Sequence, residues 1–196
     1  MARSRAADHQ DKRVALLDKA TELFATQGFD RTSMNEIASA MGVSKALFYH
    51  YYPSKQALLF DIIQVHLTEL VEAAEAANVA EAAPEERLHK VVSAILDCYR
   101  GADARHKIQI NHLSQLSVAE QAALKRLERR LVEIVSEIVA EVNPSLPREQ
   151  VWPITMSIFG TLNWKYMWFR EGGRMTHEAY AALVTRMFVA GARAAG

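Results

Sequence analysis

Side chains able to donate hydrogen bonds cluster on one face of a predicted helix in the first quarter of the chain. Placed at about 100° per residue, Lys45, Ala46, Tyr49 and His50 share one arc, and Phe48 lies on the other side. The ammonium can donate to a guanine edge or a phosphate, and the alanine permits close approach and contact with a thymine methyl. Tyrosine and histidine can donate to phosphate oxygens. This combination predicts a surface that contacts DNA.

A pair of short helices is needed to present that surface. Ser33 and Glu36 have the spacing of a capping box and predict the start of the first of them. Gly42 allows a sharp turn, and Ser44 can cap the second helix. Two short helices around such a turn form the arrangement in which one helix braces the other in the major groove. Lys55, at the start of the next helix, adds a cation where a helix N-terminus already favours an anion.

By themselves, residues 32–45 are equally compatible with an ordinary helical hairpin, but the sequence that follows is more specific. The segment GVSKALFYHYYPSKQALL resembles the signature of the TetR family, in which a helix-turn-helix ends in an aromatic cluster followed by a capped Ser-Lys helix. The match covers residues 12–60 without a gap. The resemblance implies a core position for Phe48 and Tyr52, and it implies DNA contacts by Thr32, Ser44, Lys45, Ala46, Tyr49, His50 and Lys55. Leu47 departs from the family, which usually has a small hydroxyl residue there, so one phosphate or base contact is expected to be missing.

The remainder of the chain also has helical periodicity. Apolar residues recur at helical spacing, and no alternating run is long enough for a strand, so we predict an all-α fold with about nine helices. A three-helix helix-turn-helix domain is predicted over residues 1–56, and a larger ligand-binding and dimerisation domain over residues 57–196. The predicted helices outside the helix-turn-helix span 12–27, 55–77, 88–99, 105–116, 118–142, 151–169 and 176–195.

Charge and composition limit the classes of function. Lys plus Arg and Asp plus Glu balance at 23 each, whereas residues 1–56 carry a net charge of +2. A sequence-independent architectural DNA binder would be far more basic, so phosphate binding is expected to rest on a few placed groups, with Arg3 and Arg5 as a mobile supplement. No nucleophile with a base, carboxylate pair in an apolar cleft or phosphate loop is recognisable, so we expect no enzyme and no cofactor.

Metal binding, secretion and membrane insertion are not expected either. His106 and His112 are six residues apart, which fits no metal-ligand spacing on a helix. The charged N-terminus lacks the apolar segment of a signal peptide, and no stretch reaches the roughly 18 uncharged apolar residues of a membrane span. We therefore expect a cytoplasmic location.

The last two helices are expected to mediate dimerisation, as the TetR resemblance implies. They carry more apolar surface than one subunit can readily cover, and a single headpiece reads only a half-site, so a two-fold homodimer is favoured over burial within a monomer. Residues 161–194 further resemble family members that control fatty-acid, aromatic or steroid breakdown and respond to acyl-CoA thioesters. That resemblance implies an apolar pocket with cations near its mouth, for which Arg100 is one candidate.

The pocket itself is predicted from side chains that interrupt or enlarge aliphatic faces. The candidates beside Arg100 are Tyr99, His112, Gln115, Asn163, Trp164, Met167 and Trp168. Core or dimer packing is at least as good an interpretation for each of them. The overall expectation is a repressor released from a palindromic operator by a small molecule, possible alternatives being a different hydrophobic ligand, such as a drug or metabolite, or an activator on the same fold.

Overall fold

The all-α prediction is confirmed by a computed structural model, which describes residues 2–170 and 172–195, with side chains from Lys12 onward. These residues form nine α-helices and two single 3-10 turns, and contain no strand. The helices are α1 (Ala2–Gln27), α2 (Met34–Ala40), α3 (Lys45–Tyr51), α4 (Lys55–Ala77), α5 (Pro84–Cys98), α6 (Asp103–His112), α7 (Val118–Val142), α8 (Arg148–Asn163) and α9 (His177–Ala194).

Serine side chains cap the helices of the helix-turn-helix as predicted. The Ser33 hydroxyl accepts from the backbone N–H of Glu36 at 3.2 Å, and the Glu36 carboxylate accepts from the N–H of Ser33 at 2.7 Å. The hydrogen bond from the backbone N–H of Ser33 lowers the pKa of the Glu36 carboxyl, because it favours the charged form. Ser44 accepts from Leu47 at 3.2 Å, and Ser54 accepts from Ala57 at 3.0 Å. Local spacing was therefore sufficient to locate the starts of α2, α3 and α4.

The largest errors in the predicted helix bounds concern the start of α1 and the end of α8. Helix α1 begins at Ala2 and not near residue 12, since no proline or glycine precedes Lys12 to stop it. The side chains of Arg3 and Arg5, predicted to form a mobile arm, lie outside the described residues. Helix α8 ends at Asn163 instead of continuing to residue 169.

The early end of α8 has its cause in α9. After a 3-10 turn over Lys165–Met167, the rings of Trp168 and Phe169 pack on Tyr180, with centroids 5.3 and 5.7 Å apart. These contacts within the C-terminal part of the chain require the backbone to leave the helical path. Packing therefore outweighed the apolar periodicity that predicted a longer helix.

The chain divides into two compact units, each made of two separate segments, and the functional boundary at residue 56 stays a prediction. The N-terminal unit contains residues up to His66 together with Ala102–Leu124, and the C-terminal unit contains Leu67–Gly101 and residues from Lys125 onward. Helix α6 belongs to the N-terminal unit because it packs on α1, where Arg105 pairs with Asp18 at 2.7 Å.

The buried core of the N-terminal unit includes two histidines. His66 of α4 and His106 of α6 are both buried, and their ring centroids lie 6.0 Å apart. Burial, reinforced by His106 and Arg105, lowers the pKa of His66 to about 4. The His66 ring is therefore neutral at neutral pH.

Candidate nucleic-acid interface

Helix α3 is anchored by aromatic side chains on its inner face. Phe48 is completely buried, Tyr52 is nearly so, and their ring centroids are 6.4 Å apart. The structure thus places both residues in the core, as the family resemblance implied. A helix of this length has little stability of its own, so its orientation depends on these contacts and on the Ser44 cap.

The opposite face of α3 is open to solvent. Ser44, Lys45, Ala46, Tyr49 and His50 are all exposed, and Tyr49 exposes 46% of its surface. The face therefore presents an ammonium, hydroxyls and an imidazole around one small residue. Such a surface can donate hydrogen bonds to phosphates and base edges, and Ala46 leaves room for close approach.

Leu47 borders this polar face with an apolar side chain that is 41% exposed. Its backbone N–H is already bonded to the Ser44 hydroxyl. The Leu47 side chain can therefore offer a DNA duplex apolar contact only, and the missing polar contact stays a prediction.

Two of the predicted DNA-contacting groups are engaged inside the N-terminal unit. The Lys55 ammonium donates to the carbonyl oxygens of Phe29 and Thr32 at 2.8 and 3.1 Å, and it lies 4.4 Å from the centroid of the Phe29 ring. The Thr32 side chain is buried, and its hydroxyl donates to the carbonyl of Gly28 at 2.9 Å. Both residues hold the loop that precedes α2. Their contact with DNA stays a prediction.

Sequence reasoning missed a buried carboxylate behind α3. Asp61 of α4 accepts the Tyr52 hydroxyl at 2.5 Å and both a Nε and a Nη2 donor of Arg13 from α1. Burial, reinforced by the bond to Asp61, raises the pKa of the Tyr52 hydroxyl far above its ordinary value. Arg13 and Asp61 are 48 residues apart, so no local pattern could have paired them.

In the C-terminal unit, two of the predicted ligand-binding residues lie together. The buried Tyr99 hydroxyl donates to Oδ1 of Asn163 at 2.7 Å, and burial raises the pKa of Tyr99. Arg100 is exposed and pairs with Asp97 at 3.1 Å, at the edge of a cavity of about 390 Å³ that His89 and His177 also line.

The other predicted ligand-binding residues are dispersed. Trp164, Met167 and Trp168 are exposed, Trp164 to the extent of 61%. In the N-terminal unit, the His112 ring lies 5.4 Å from the Phe29 ring, and Gln115 is exposed on a 3-10 turn. The ligand-binding set thus includes one partly buried polar pair and several more exposed residues, and its role stays a prediction.

A buried cation in the C-terminal unit was not predicted. The Lys165 ammonium lies 4.7 Å from the centroid of the Phe169 ring, and the His177 ring packs against the same phenyl ring at 4.6 Å. Both polar residues are buried. The four-residue spacing of Lys165 and Phe169 is a signal in the sequence, but the prediction for this segment was based on the neighbouring Trp164 and Trp168.

An apolar row runs along the outside of α8. Trp152, Met156, Gly160 and Trp164 recur every four residues and are all exposed. The hydroxyls of Ser157 and Thr161, beside this row, donate to backbone carbonyls one turn earlier, at 2.8 and 2.9 Å. We call this surface the α8 face.

The neighbouring part of α9 is also open. A cavity of about 390 Å³ lies between α8 and α9 and is lined by Pro153, Met187 and Gly191, among others. A Cβ atom added at Gly160 or Gly191 would meet no other atom within 4 Å. Neither glycine is therefore required by packing within its own chain.

The described part of the chain contains neither a metal-binding cluster nor a membrane-spanning helix. Among residues 12–170 and 172–195, no three His, Cys, Asp or Glu side chains are grouped so that they could hold a metal ion. In that same part of the chain, none of the helices has the length and apolar character needed to cross a membrane.

Comparison with known sequences assigns the family. Residues 16–62 match the profile of bacterial regulatory proteins of the tetR family, and residues 81–192 match that of the tetracyclin repressor-like C-terminal domain. The second match alone covers more than half of the chain, and the chain therefore belongs to the TetR family. It is a DNA-binding transcriptional regulator by family.

Two curated relatives match about two fifths of this chain. The HTH-type transcriptional regulator BetI of Rhizobium meliloti is 41% identical over 81 residues, which cover 41% of this chain and 40% of that protein. The HTH-type transcriptional activator FasR of Mycolicibacterium smegmatis is 33% identical over 87 residues, covering 44% of this chain and 40% of that protein. The matches thus span about two fifths of the length of these relatives.

Solved structures match nearly the whole chain. A TetR-family regulator from Bordetella parapertussis 12822 is 29% identical with a TM-score of 0.83, over 90% of this chain and 93% of that one. AibR, solved in complex with isovaleryl coenzyme A and operator DNA, is 27% identical with a TM-score of 0.77, over 89% of this chain and 96% of that one. The fold is therefore that of complete TetR regulators.

Proposed function

We propose that this TetR-family regulator is a repressor, not an enzyme, that binds a palindromic operator as a homodimer and leaves it when a small molecule binds. The observation that carries the proposal is the exposed arc of α3, where Lys45, Tyr49 and His50 surround Ala46. Donors around a point of close approach suit the major groove, where base edges present acceptors. One such helix reads only a half-site, so two copies related by a two-fold axis are expected to read a palindrome.

Within this face, different side chains have different tasks. We assign base reading to Lys45 and Ala46, and phosphate binding to Ser44, Tyr49 and His50. An ammonium on a flexible stem and a methyl group can distinguish guanine and thymine edges, whereas hydroxyls and an imidazole find acceptors on any phosphate.

Selection from a pool of random duplexes tests the DNA-binding part of the proposal. We expect enrichment of an imperfect palindrome whose half-sites lie about one helical turn, ~10 base pairs, apart. The enriched duplex should stay bound in an excess of random DNA. Enrichment of no sequence, or equal displacement by random DNA, contradicts the proposal.

The proposed dimer uses the α8 face and the exposed part of α9. The row from Trp152 to Trp164 is apolar, and the cavity beside Met187 is large enough to receive side chains from a second copy. Gly160 and Gly191 would allow the backbones of two copies to approach closely. This role explains why glycine occurs at two positions where its own chain leaves room for a side chain. A two-fold axis would bring the same surfaces of both copies together.

We propose an acyl-CoA thioester as the class of effector. The similarity to AibR, a structure that holds isovaleryl coenzyme A, supports this class. In the C-terminal unit, Tyr99 and Asn163 supply a partly buried polar pair that can orient a thioester, and Arg100 supplies an exposed cation for coenzyme A phosphates.

A displacement assay tests the effector. The selected duplex is bound, and short- and long-chain acyl-CoAs, the free acids and cationic drugs are added in turn. We expect acyl-CoAs alone to release the duplex, and DNA to weaken acyl-CoA binding by the same factor, because the two equilibria are linked. Arg100→Gln should weaken acyl-CoA binding, whereas Arg130→Gln, which breaks a comparable exposed pair with Glu75, should not.

The result of that assay also separates the alternatives. Release only by a cationic drug or an uncharged metabolite would replace the acyl-CoA proposal with another hydrophobic ligand. An activator is the second candidate, because the relative FasR is named as one. An activator is expected to keep or gain affinity for its operator when the effector binds, and a repressor to lose it.

A further inference from the structure

The carboxylate of Asp61 joins three helical segments of the N-terminal unit. It lies on α4, accepts two donors from Arg13 of α1, and accepts the hydroxyl of Tyr52, the residue that follows α3. Its side chain is 8% exposed, whereas that of Arg13 is 39% exposed. The buried charge is therefore compensated by one partly exposed guanidinium and one buried hydroxyl.

Tyr52 is the part of this group that acts on α3. Its backbone N–H donates to the carbonyl of Phe48 and closes the last turn of the helix. Its ring packs beside Phe48, and its hydroxyl ends on Asp61. The backbone, the ring and the hydroxyl of Tyr52 thus connect the end of α3 to α4.

The exposed face depends on that connection. Phe48 fixes the depth of α3, but a single anchor leaves the helix able to roll about it. Rotation of α3 about its own axis would move Lys45 and Tyr49 away from their targets on a rigid duplex. A displacement of about 1 Å is enough to lose a directed hydrogen bond. A second fixed point at the C-terminal end prevents this.

We propose that Asp61 is a positioning residue for DNA recognition, which holds the roll of α3 through the Tyr52 hydroxyl and is itself held by Arg13. This role rests on the proposed function. It predicts that loss of the hydroxyl reduces sequence discrimination without unfolding the unit.

Tyr52→Phe is the principal variant, because it removes one oxygen and keeps the buried ring. The probes are the duplex selected by the wild-type chain and a random duplex of equal length, with the folded fraction followed by circular dichroism. We expect affinity for the selected duplex to fall about tenfold, the effect of losing one directed hydrogen bond between α3 and a base edge, and affinity for random DNA to stay within about twofold. Glu22→Gln, which breaks the exposed pair of Lys19 and Glu22 on α1, is the matched control and should change neither affinity.

Asp61→Asn and the double variant measure whether the two groups act together. If the hydroxyl works through Asp61, Tyr52→Phe should have little further effect on discrimination in the Asp61→Asn background. Equal loss of selected and random binding in Tyr52→Phe, or a lower melting temperature with discrimination intact, overturns the positioning role. If the wild-type chain enriches no duplex, the regulator proposal fails before any variant is measured, and the role of Asp61 fails with it.

Discussion

Two exposed helical faces of opposite chemistry distinguish the two units of this regulator. The α3 face of the N-terminal unit carries Lys45, Tyr49 and His50, whereas the α8 face of the C-terminal unit carries Trp152 and Trp164. Each has a small residue where a partner can approach closely, Ala46 in the first and Gly160 in the second. The difference indicates different partners: hydrogen-bond donors suit phosphates and base edges, and an apolar row suits another apolar surface.

The largest effect is expected from removing the anchor beneath the polar face. Phe48→Ala should reduce the free energy of unfolding by about 3–5 kcal/mol, because it deletes a fully buried aromatic ring from a short helix. Denaturant unfolding followed by circular dichroism measures the change. Leu47→Ala, one residue away but exposed, is the control and should change stability by less than about 1 kcal/mol. Similar losses in both variants would mean that α3 is not held by its inner face.

The next largest effect is a pH dependence of stability caused by His66, which is buried in the N-terminal unit outside the helix-turn-helix motif. Burial lowers the pKa of His66 to about 4, so below the ordinary histidine pKa of about 6.5 the unfolded chain binds a proton that the folded chain does not. Stability should therefore fall as the pH is lowered from about 6.5 to 4, by up to about 3 kcal/mol from this group.

Unfolding titrations at several pH values check this expectation. In His66→Leu the contribution of this ring is absent, so the curve should be flatter by that amount over the same range. An unchanged slope in the variant would show that His66 is not the group responsible.

Lys45→Ala tests the polar face itself. We expect a loss of about 1–3 kcal/mol in affinity for the selected duplex, with relaxed preference at one base position. Tyr49→Phe should instead weaken binding to all sequences alike, because a phosphate contact carries no sequence information. Binding of a panel of single-base variants separates the two patterns, and a uniform loss for Lys45→Ala would exclude base reading by this lysine.

Gly160→Leu tests the apolar face and should have the smallest effect. A Cβ atom at this position meets nothing in its own chain, so the fold should persist, but the leucine side chain would occupy the space of a second copy. We expect the dimer dissociation constant to rise at least tenfold, about 1.4 kcal/mol, by analytical ultracentrifugation. Ala140→Leu, at an exposed position of α7, should leave it unchanged. An unaltered dimer in Gly160→Leu would place the interface elsewhere.

Features that depend on local spacing could be predicted from the sequence in both units. Ser33, Ser44 and Ser54 act over three residues, so the starts of α2, α3 and α4 could be read from local spacing. Helix α7 was predicted from residue 118 to residue 142, as observed, because its periodicity is uninterrupted. The exposed arc of α3 followed from the same kind of local geometry.

Contacts between distant residues could not be read in this way. The Lys55 ammonium reaches carbonyls more than twenty residues earlier in the chain, so a group predicted to bind DNA was found holding a loop. Tyr99 and Asn163 are 64 residues apart, and their hydrogen bond has no signal in either segment. Helix α8 stops early because Trp168 and Phe169 pack on Tyr180 of α9. This tertiary contact forms only in the folded chain, so the local apolar pattern could not indicate it.

The internal hydrogen bonds of the α8 face determine how contact between two such faces should respond to ionic strength. Its row of Trp152, Met156, Gly160 and Trp164 carries no charge, and the hydroxyls of Ser157 and Thr161 are bonded to their own helix. Contact between two such faces would release few counterions, whereas phosphate binding weakens steeply as salt rises. Raising the salt concentration should therefore strip DNA from the proposed dimer long before it separates the two subunits.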